Sequence, residues 1–223
     1  MMLVYPVIHY LSRELALEEV WVARSCGAEG VFLISHHGND YELIEVAAEA
    51  KLKYPDFRIG INLLSQDAIF ACKQAKVAEL DMVWADDMGV DSRGGNPMAE
   101  YLSLLASETP SIQLFASVAF KYRPHEPNPA LAATMAQNLG FIPTTSGSAT
   151  GSAPEVRKIA AMSAATGGQL AIASGMTPEN VRDYAPYLSH ILVATGVGLD
   201  EYRIDPDRLI ALIANCQDSN GIS

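Results

Sequence analysis

The sequence predicts a single (βα)8 TIM barrel, a closed parallel sheet surrounded by helices, that forms one domain over residues 1–223. Short apolar runs rich in β-branched residues alternate with Ala-, Leu- and Glu-rich stretches of helical length, and eight such pairs occur. A length of 223 residues falls within the range of this fold. Eight strand–helix units favour a closed barrel over a doubly wound open sheet, which usually has fewer strands at this length.

The eight strands are predicted where the apolar runs occur, at residues 3–8, 30–34, 58–63, 82–84, 112–118, 140–143, 170–173 and 190–194. Runs without polar alternation are expected because helices cover the outer face of such strands. Trp84 lies inside the fourth run and is predicted to be a packing residue.

Helix starts are indicated by a capping residue followed by proline, at Asn96-Pro97, Asn128-Pro129, Thr177-Pro178 and Asp205-Pro206. The segment Ser152-Ala-Pro-Glu155 predicts a capping box. Gly27 and Gly140 are predicted at the ends of helices, where the chain turns into the next strand.

Composition restricts the classes of partner. A formal net charge of −11 argues against nucleic acid, because phosphate backbones are bound by basic patches. No apolar run reaches the roughly 18 residues needed to cross a bilayer, and the first ten residues lack the features of a signal peptide. The three cysteines, Cys26, Cys72 and Cys216, are far apart and odd in number, which favours reduced thiols and a cytoplasmic location. Self-association into a homo-oligomer is also expected.

In a (βα)8 barrel the active site lies at the carboxyl ends of the strands, so the residues just after each strand are the candidates. The polar and glycine residues at these positions include His9, His36, His37, Asn62, Asp86, Asp87, Lys121, Gly147, Ser148, Ser174, Gly175, Thr195 and Gly196. The opposite ends of the strands are nearly free of such groups. This asymmetry predicts a site at one end of the barrel.

A phosphate site is predicted at the turns Ser174-Gly175 and Thr195-Gly196, with Gly147, Ser148 and Asn62 as further ligand-binding candidates. Glycine lets backbone amides approach an anion closely, and a helix start was expected directly after Gly175. Loops after strands 7 and 8 hold phosphate in many barrels of this kind. Two alternatives remain: the glycines only form tight turns, or the nearby acids of residues 200–201 disfavour an anion.

Acid–base chemistry is predicted for Asp86, with His9, His36 and Lys121 as the other catalytic candidates. Side chains of adjacent strand residues point to opposite sides, so one member of each pair, Asp86-Asp87 and His36-His37, is expected to face the pocket. A lysine in a barrel mouth forms Schiff bases or anchors anions, whereas a surface lysine does neither. No metal-ligand spacing occurs, so the cofactor is left unassigned and a divalent metal is not favoured.

Three segments carry a resemblance to a known family: residues 115–122, the SGSATG loop within residues 144–151, and SGMTPENV at residues 174–181. The chain resembles the BtpA/SgcQ family over nearly its whole length, most clearly from residue 115 to residue 196. The resemblance implies a barrel similar to the ribulose-phosphate-binding barrels. The sequence departs from the family pattern at Ser117, at Asp86-Asp87 and at His36-His37.

The leading hypothesis is an enzyme that acts on a small phosphorylated sugar or nucleotide-like metabolite. Isomerisation, lyase chemistry and cleavage of an N-glycosidic bond are all compatible with one carboxylate and a held phosphate. A non-catalytic assembly or regulatory protein is the second hypothesis, because the family takes its name from a member linked to photosystem I accumulation. A hydrolase or nucleosidase that holds a cation through Asp86, Asp91 and a histidine is the third.

Overall fold

A computed structural model describes residues 2–218, so Met1 and residues 219–223 of the predicted domain lie outside the described residues. Eight parallel strands close into a barrel: β1 (Leu3–His9), β2 (Gly30–Ile34), β3 (Arg58–Asn62), β4 (Met82–Ala85), β5 (Gln113–Ser117), β6 (Ile142–Thr145), β7 (Ala171–Ile172) and β8 (His190–Val193). Each strand pairs with its neighbours in sequence, and β8 pairs with β1. The predicted (βα)8 barrel is therefore confirmed.

Eight helices follow the strands: α1 (Arg13–Ser25), α2 (Asp40–Lys53), α3 (Ala68–Val77), α4 (Pro97–Glu108), α5 (Pro129–Asn138), α6 (Val156–Ala165), α7 (Val181–Tyr184) and α8 (Pro206–Asp218). Two 3₁₀ turns, Ala185–Tyr187 and Thr195–Val197, and a short hairpin between Val90–Asp91 and Gly94–Gly95 complete the fold. Among residues 2–218, no helix combines the length and the apolar character that crossing a lipid bilayer requires.

Aromatic side chains fill the interior of the barrel. The rings of Tyr5, Phe32 and Phe115 meet one another edge-on, and the ring centroids of Phe32 and Phe115 are 5.2 Å apart. Gly60 makes room for this packing, because a Cβ at Gly60 would lie 2.5 Å from the Phe32 ring. Edge-to-face aromatic pairs stabilise a core beyond the area that they bury. Side chains therefore fill the interior below the strand ends, and a cavity opens at the mouth of the barrel.

The predicted caps of three helices are confirmed. The Asn96 side chain accepts hydrogen bonds from Met98 N and Ala99 N. The side chains of Asn128 and Asp205 likewise accept hydrogen bonds from N–H groups in the first turns of α5 and α8. Gly27 and Gly140 have φ angles of 87° and 82°, as expected for residues that end a helix.

Two predicted helix starts are wrong. Helix α6 begins at Val156, and its N-cap Glu155 makes no side-chain hydrogen bond, so Ser152–Glu155 is not a capping box. Tyr184 Oη instead donates to Pro154 O at 2.7 Å, which ties this segment to α7. Helix α7 begins at Val181 rather than at Pro178, because the N–H groups of Asn180 and Val181 first close a turn on Thr177 O.

Replacing Asn96 with alanine is expected to lower the free energy of unfolding by about 1 kcal/mol, because two N–H groups at the start of α4 lose their acceptor. Asn39 is the matched control: it is the exposed N-cap of α2 but makes no side-chain cap hydrogen bond. Urea unfolding of N96A and N39A measures both changes. Equal losses in the two variants would contradict the role of the Asn96 cap.

Candidate active site

A cavity of about 340 Å³ opens at the carboxyl ends of the strands, and its walls come from β1, β2 and β4 and from the loops after β5 to β8. This volume lies at the lower end of the range of small-molecule sites. Eight of the predicted site residues line it: His9, His36, Asp86, Lys121, Ser174, Gly175, Thr195 and Gly196. Strands β4 and β8 are four places apart in the ring, so Asp86 lies across the barrel from Thr195-Gly196. By the same count, Lys121 lies across from His9.

The two histidines of the cavity are in contact. The His9 and His36 rings are 5.0 Å apart and nearly perpendicular. Burial lowers the pKa of His9 below its ordinary value, and the nearby His36 lowers it further. The Nδ1 atom of His9 is buried and has no hydrogen-bond partner among the described residues. His9 is therefore a neutral imidazole at pH 7 that can accept a proton from a ligand.

The fourth strand ends in an acid that faces the cavity. Asp86 lines the wall and keeps access to solvent through the mouth, while partial desolvation by the surrounding protein raises its pKa. Asn62 and Lys121 oppose this rise. Asp87 lies outside the cavity, where its carboxylate pairs with Arg123 at 3.0 Å and accepts the Gly89 N–H at 2.8 Å. Only Asp86 is thus available to a ligand.

Asn62 is placed behind Asp86 rather than in the cavity wall. Its side chain is 1% exposed, and its Nδ2 makes no regular hydrogen bond among the described residues, although its proximity lowers the pKa of Asp86. A buried donor without a partner carries a free-energy cost, which a ligand atom or a water can remove. The ligand-binding role of Asn62 stays a prediction.

The loop after β5 brings Lys121 to the cavity. Ala119 turns the chain with a φ of 48°, and its carbonyl accepts a hydrogen bond from Lys158 Nζ at 2.8 Å. The Lys121 N–H donates to Ser146 Oγ at 2.7 Å, so β6 also fixes this loop. The Lys121 Nζ donates to Thr150 Oγ1 at 3.2 Å, and burial lowers the pKa of the amine.

The loop after β7 approaches the loop after β6 at Gly175, and the loop after β8 approaches the loop after β7 at Gly196. A Cβ at Gly175 would collide with the Ala153 backbone, and a Cβ at Gly196 would collide with Met176 O. Ser174 is already engaged, because its hydroxyl donates to Ala149 O at 3.1 Å. The N–H groups of Gly175, Thr195 and Gly196 donate to no acceptor among the described residues, so they are available to an anion.

The helix start expected directly after Gly175 is absent from this position. Residues between Gly175 and Val181 form turns, and α7 has four residues. The phosphate prediction therefore loses its helix-dipole argument, since a helix of one turn has little macrodipole. What remains at this place is the set of unpaired backbone N–H groups.

Two predicted ligand residues, Gly147 and Ser148, line a neighbouring cavity together with Lys158. Sequence reasoning missed Trp84 and Phe120, which form part of the apolar wall of the main cavity. Trp84 Nε1 donates to Ser117 Oγ at 3.0 Å, so its ring is held in place. The strand period of two was the available signal, because an inward Asp86 implies an inward residue two positions earlier.

The predicted cation site of Asp86, Asp91 and a histidine does not form among the described residues. Asp91 lies in the hairpin, where it pairs with Arg93 and lines a different cavity from Asp86. Within residues 2–218, no three His, Cys, Asp or Glu side chains are grouped as metal ligands.

Comparison with known proteins identifies the fold. No protein-family model matches the chain, and no curated protein of similar sequence was found. Phosphoribosyl anthranilate isomerase from Thermus thermophilus is 16% identical, with a TM-score of 0.68 over 97% of this chain and 99% of that chain. Thiamine phosphate pyrophosphorylase from Pyrococcus furiosus is 14% identical, with a TM-score of 0.67 over 99% and 98%. At these identities the likeness establishes the barrel fold alone.

A third similar structure contains a ligand. A phosphoribosyl anthranilate isomerase in complex with reduced 1-(o-carboxyphenylamino)-1-deoxyribulose 5-phosphate is 16% identical and has a TM-score of 0.69 over 98% of this chain and 100% of that chain.

Replacing His36 with glutamine is expected to raise the pKa of His9, because protonation of His9 is no longer opposed by a second imidazole beside it. NMR titration of the histidine ring signals measures the shift, and a His9→Gln variant assigns the signal. His37→Gln is the matched control, since His37 does not line the cavity. A pKa of His9 that moves equally in both variants would rule out the contact as its cause.

Proposed function

We propose that this protein is an enzyme that acts on a small phosphorylated sugar or nucleotide-like metabolite. One observation carries the proposal: a single cavity combines two acid–base groups, His9 and Asp86, with unpaired backbone N–H groups. The N–H groups of Thr195 and Gly196 lie across the barrel from Asp86, and His9 is on the strand next to them. A phosphate accepts several hydrogen bonds from such amides, even in a protein whose net charge is −11.

The two acid–base groups have complementary states. His9 is neutral at pH 7 because its pKa is lowered, so it serves as the general base. Asp86 has a raised pKa, so a larger fraction of it is protonated and able to act as an acid than of an ordinary carboxyl group at the same pH. Pairs of titratable groups whose environments separate their pKa values are typical of acid–base catalysis. Proton transfer of this kind serves sugar isomerisation, lyase chemistry and N-glycosidic cleavage.

The similar structures support the phosphorylated class of substrate. The names of two of these enzymes include a phosphoribosyl group and thiamine phosphate, and a third was solved with a deoxyribulose 5-phosphate compound. We extend this property to the present chain on the basis of the free amides at Gly175, Thr195 and Gly196.

We also propose membership of the BtpA/SgcQ family, on the strength of the SGSATG loop at residues 146–151 and the SGMTPENV segment at residues 174–181. Both segments contribute residues to the cavity wall. A cytoplasmic location is part of this proposal, and it is supported by Cys26, Cys72 and Cys216, none of which forms a disulfide within residues 2–218.

Replacing Thr195 with glutamate is expected to weaken the binding of ribose 5-phosphate about tenfold or more, because the new carboxylate lies beside the proposed phosphate position. Thr195→Gln is the matched control, because glutamine has nearly the same shape as glutamate and no charge. Its dissociation constant for ribose 5-phosphate should stay within about threefold of that of the parent protein. Thr195 is exposed at the mouth, so both side chains fit without repacking the core.

Tryptophan fluorescence measures this binding. The chain has two tryptophans, and Trp21 is 55% exposed on α1, so a Trp21→Phe background leaves Trp84 in the cavity wall as the only reporter. Ligand binding should also raise the melting temperature. Equal weakening by T195E and T195Q, or no response to any phosphorylated sugar or nucleotide, would contradict the proposed function.

A further inference from the structure

Lys121 differs from the other half-buried lysine at the barrel mouth. The Lys158 Nζ donates to Ala119 O at 2.8 Å and to Ser146 O at 2.9 Å, so this amine joins two strand ends and its role is structural. The Lys121 Nζ lines the main cavity and donates to one side-chain partner, Thr150 Oγ1. It forms no salt bridge with a carboxylate of the described residues.

Burial at the cavity wall lowers the pKa of the Lys121 amine below its ordinary value. This desolvation outweighs the opposing charge of Asp86. A lysine that served mainly to anchor phosphate would need the opposite surroundings, because it must stay charged. The phosphate already has backbone donors at Gly175 and Thr195-Gly196.

We infer that Lys121 is a nucleophile that forms a Schiff base with its substrate, which places the substrate among phosphorylated aldehydes and ketones. The phosphate part of this inference rests on the proposed function, whereas the amine chemistry stands on the position of Lys121 in the cavity. The carbonyl carbon would lie between Lys121 and the acid–base groups of the same cavity, His9 and Asp86.

The step balances without an oxidant or a reductant. The lone pair of the neutral Nζ forms a bond to the carbonyl carbon, the π pair moves to oxygen, and a proton passes from nitrogen to that oxygen. The carboxyl group of Asp86, in its protonated form, then gives its proton to the hydroxyl group, which leaves as water while the nitrogen lone pair forms the C=N bond. One amine, one carbonyl group and one proton become one iminium ion and one water molecule.

The iminium ion determines the class of reaction. It withdraws electrons from the neighbouring carbon, so a proton or a carbon–carbon bond at that position breaks more easily. Neutral His9, across the barrel from Lys121, can take up a released proton. Lyase or isomerase chemistry is thereby favoured over cleavage of an N-glycosidic bond.

Borohydride trapping tests the inference. The wild-type protein is incubated with dihydroxyacetone phosphate or ribose 5-phosphate and reduced with sodium cyanoborohydride, and the modified lysine is identified by peptide mass spectrometry. We expect modification at Lys121 several-fold faster than at Lys73, an exposed lysine of α3, and none at Lys158. The preference for Lys121 should increase as the pH is lowered from 9 to 7, because the pKa of Lys121 is lowered and its amine stays neutral to a lower pH.

Two variants separate a nucleophile from an anion anchor. Lys121→Arg keeps a positive charge but cannot form a Schiff base under these conditions, so the preferred modification should disappear. Lys73→Arg is the matched surface control and should leave the modification of Lys121 unchanged. The mapping on the wild-type chain decides the question even if the Lys121 variant does not fold. Equal modification of Lys121 and Lys73 would overturn the inference.

The outcomes distinguish this inference from the proposed function. If phosphorylated sugars bind in the fluorescence assay but Lys121 is not trapped, the Schiff base is wrong and the proposed phosphate site stands. If dihydroxyacetone without phosphate traps Lys121 as fast as the phosphorylated compound, and no phosphorylated ligand binds, the nucleophile stands and the phosphate site is wrong.

Discussion

The aromatic packing inside the barrel is the constraint on which the rest of the structure depends. Tyr5, Phe32 and Phe115 fill the ring edge-to-face, and the absence of a side chain at Gly60 makes that packing possible. Because side chains fill the interior, the main cavity lies at the strand ends. Trp84 meets the Phe32 ring edge-on and forms part of the apolar wall of the cavity.

The cavity is assembled from two halves with different physical roles. Strands β1, β2 and β4 contribute titratable side chains, whereas the loops after β7 and β8 contribute backbone. The close approach of the loops after β6 and β7 requires Gly175, and that of the loops after β7 and β8 requires Gly196, because a Cβ at either position would meet backbone atoms. Backbone packed this tightly is held in place before a ligand arrives, which lowers the entropy that binding would otherwise lose. The titratable side chains at β1, β2 and β4 can still exchange protons.

The loop after β5 connects the two halves. Ala119 adopts a left-handed backbone conformation that is unfavourable for alanine, and the hydrogen bond from Lys158 compensates for it. This turn directs Phe120 and Lys121 into the cavity. Two half-buried lysines thus lie near each other at the mouth, and their partners differ. Lys158 donates to two backbone carbonyl groups, whereas Lys121 donates to one side-chain hydroxyl group.

The sequence by itself determined the barrel and the end at which the site lies. All eight predicted strands overlap the observed ones, and the cap residues Asn96, Asn128 and Asp205 were identified correctly, because apolar periodicity and capping are local properties of the chain. The sequence also limited each adjacent pair of acids or histidines to one inward member. It misplaced the starts of α6 and α7, where contacts between distant segments outweigh the local signal.

Only the tertiary structure decided which loops meet and how deep each group lies. It selected Asp86 and His36 from their pairs, moved Gly147 and Ser148 to a neighbouring cavity, and brought Trp84 into the wall. These outcomes depend on the strand register and on contacts between segments far apart in the chain, which no local pattern encodes. The same holds for the difference between Lys121 and Lys158, since a lysine's chemistry depends on desolvation and on its hydrogen-bond partners, and both are properties of the folded molecule.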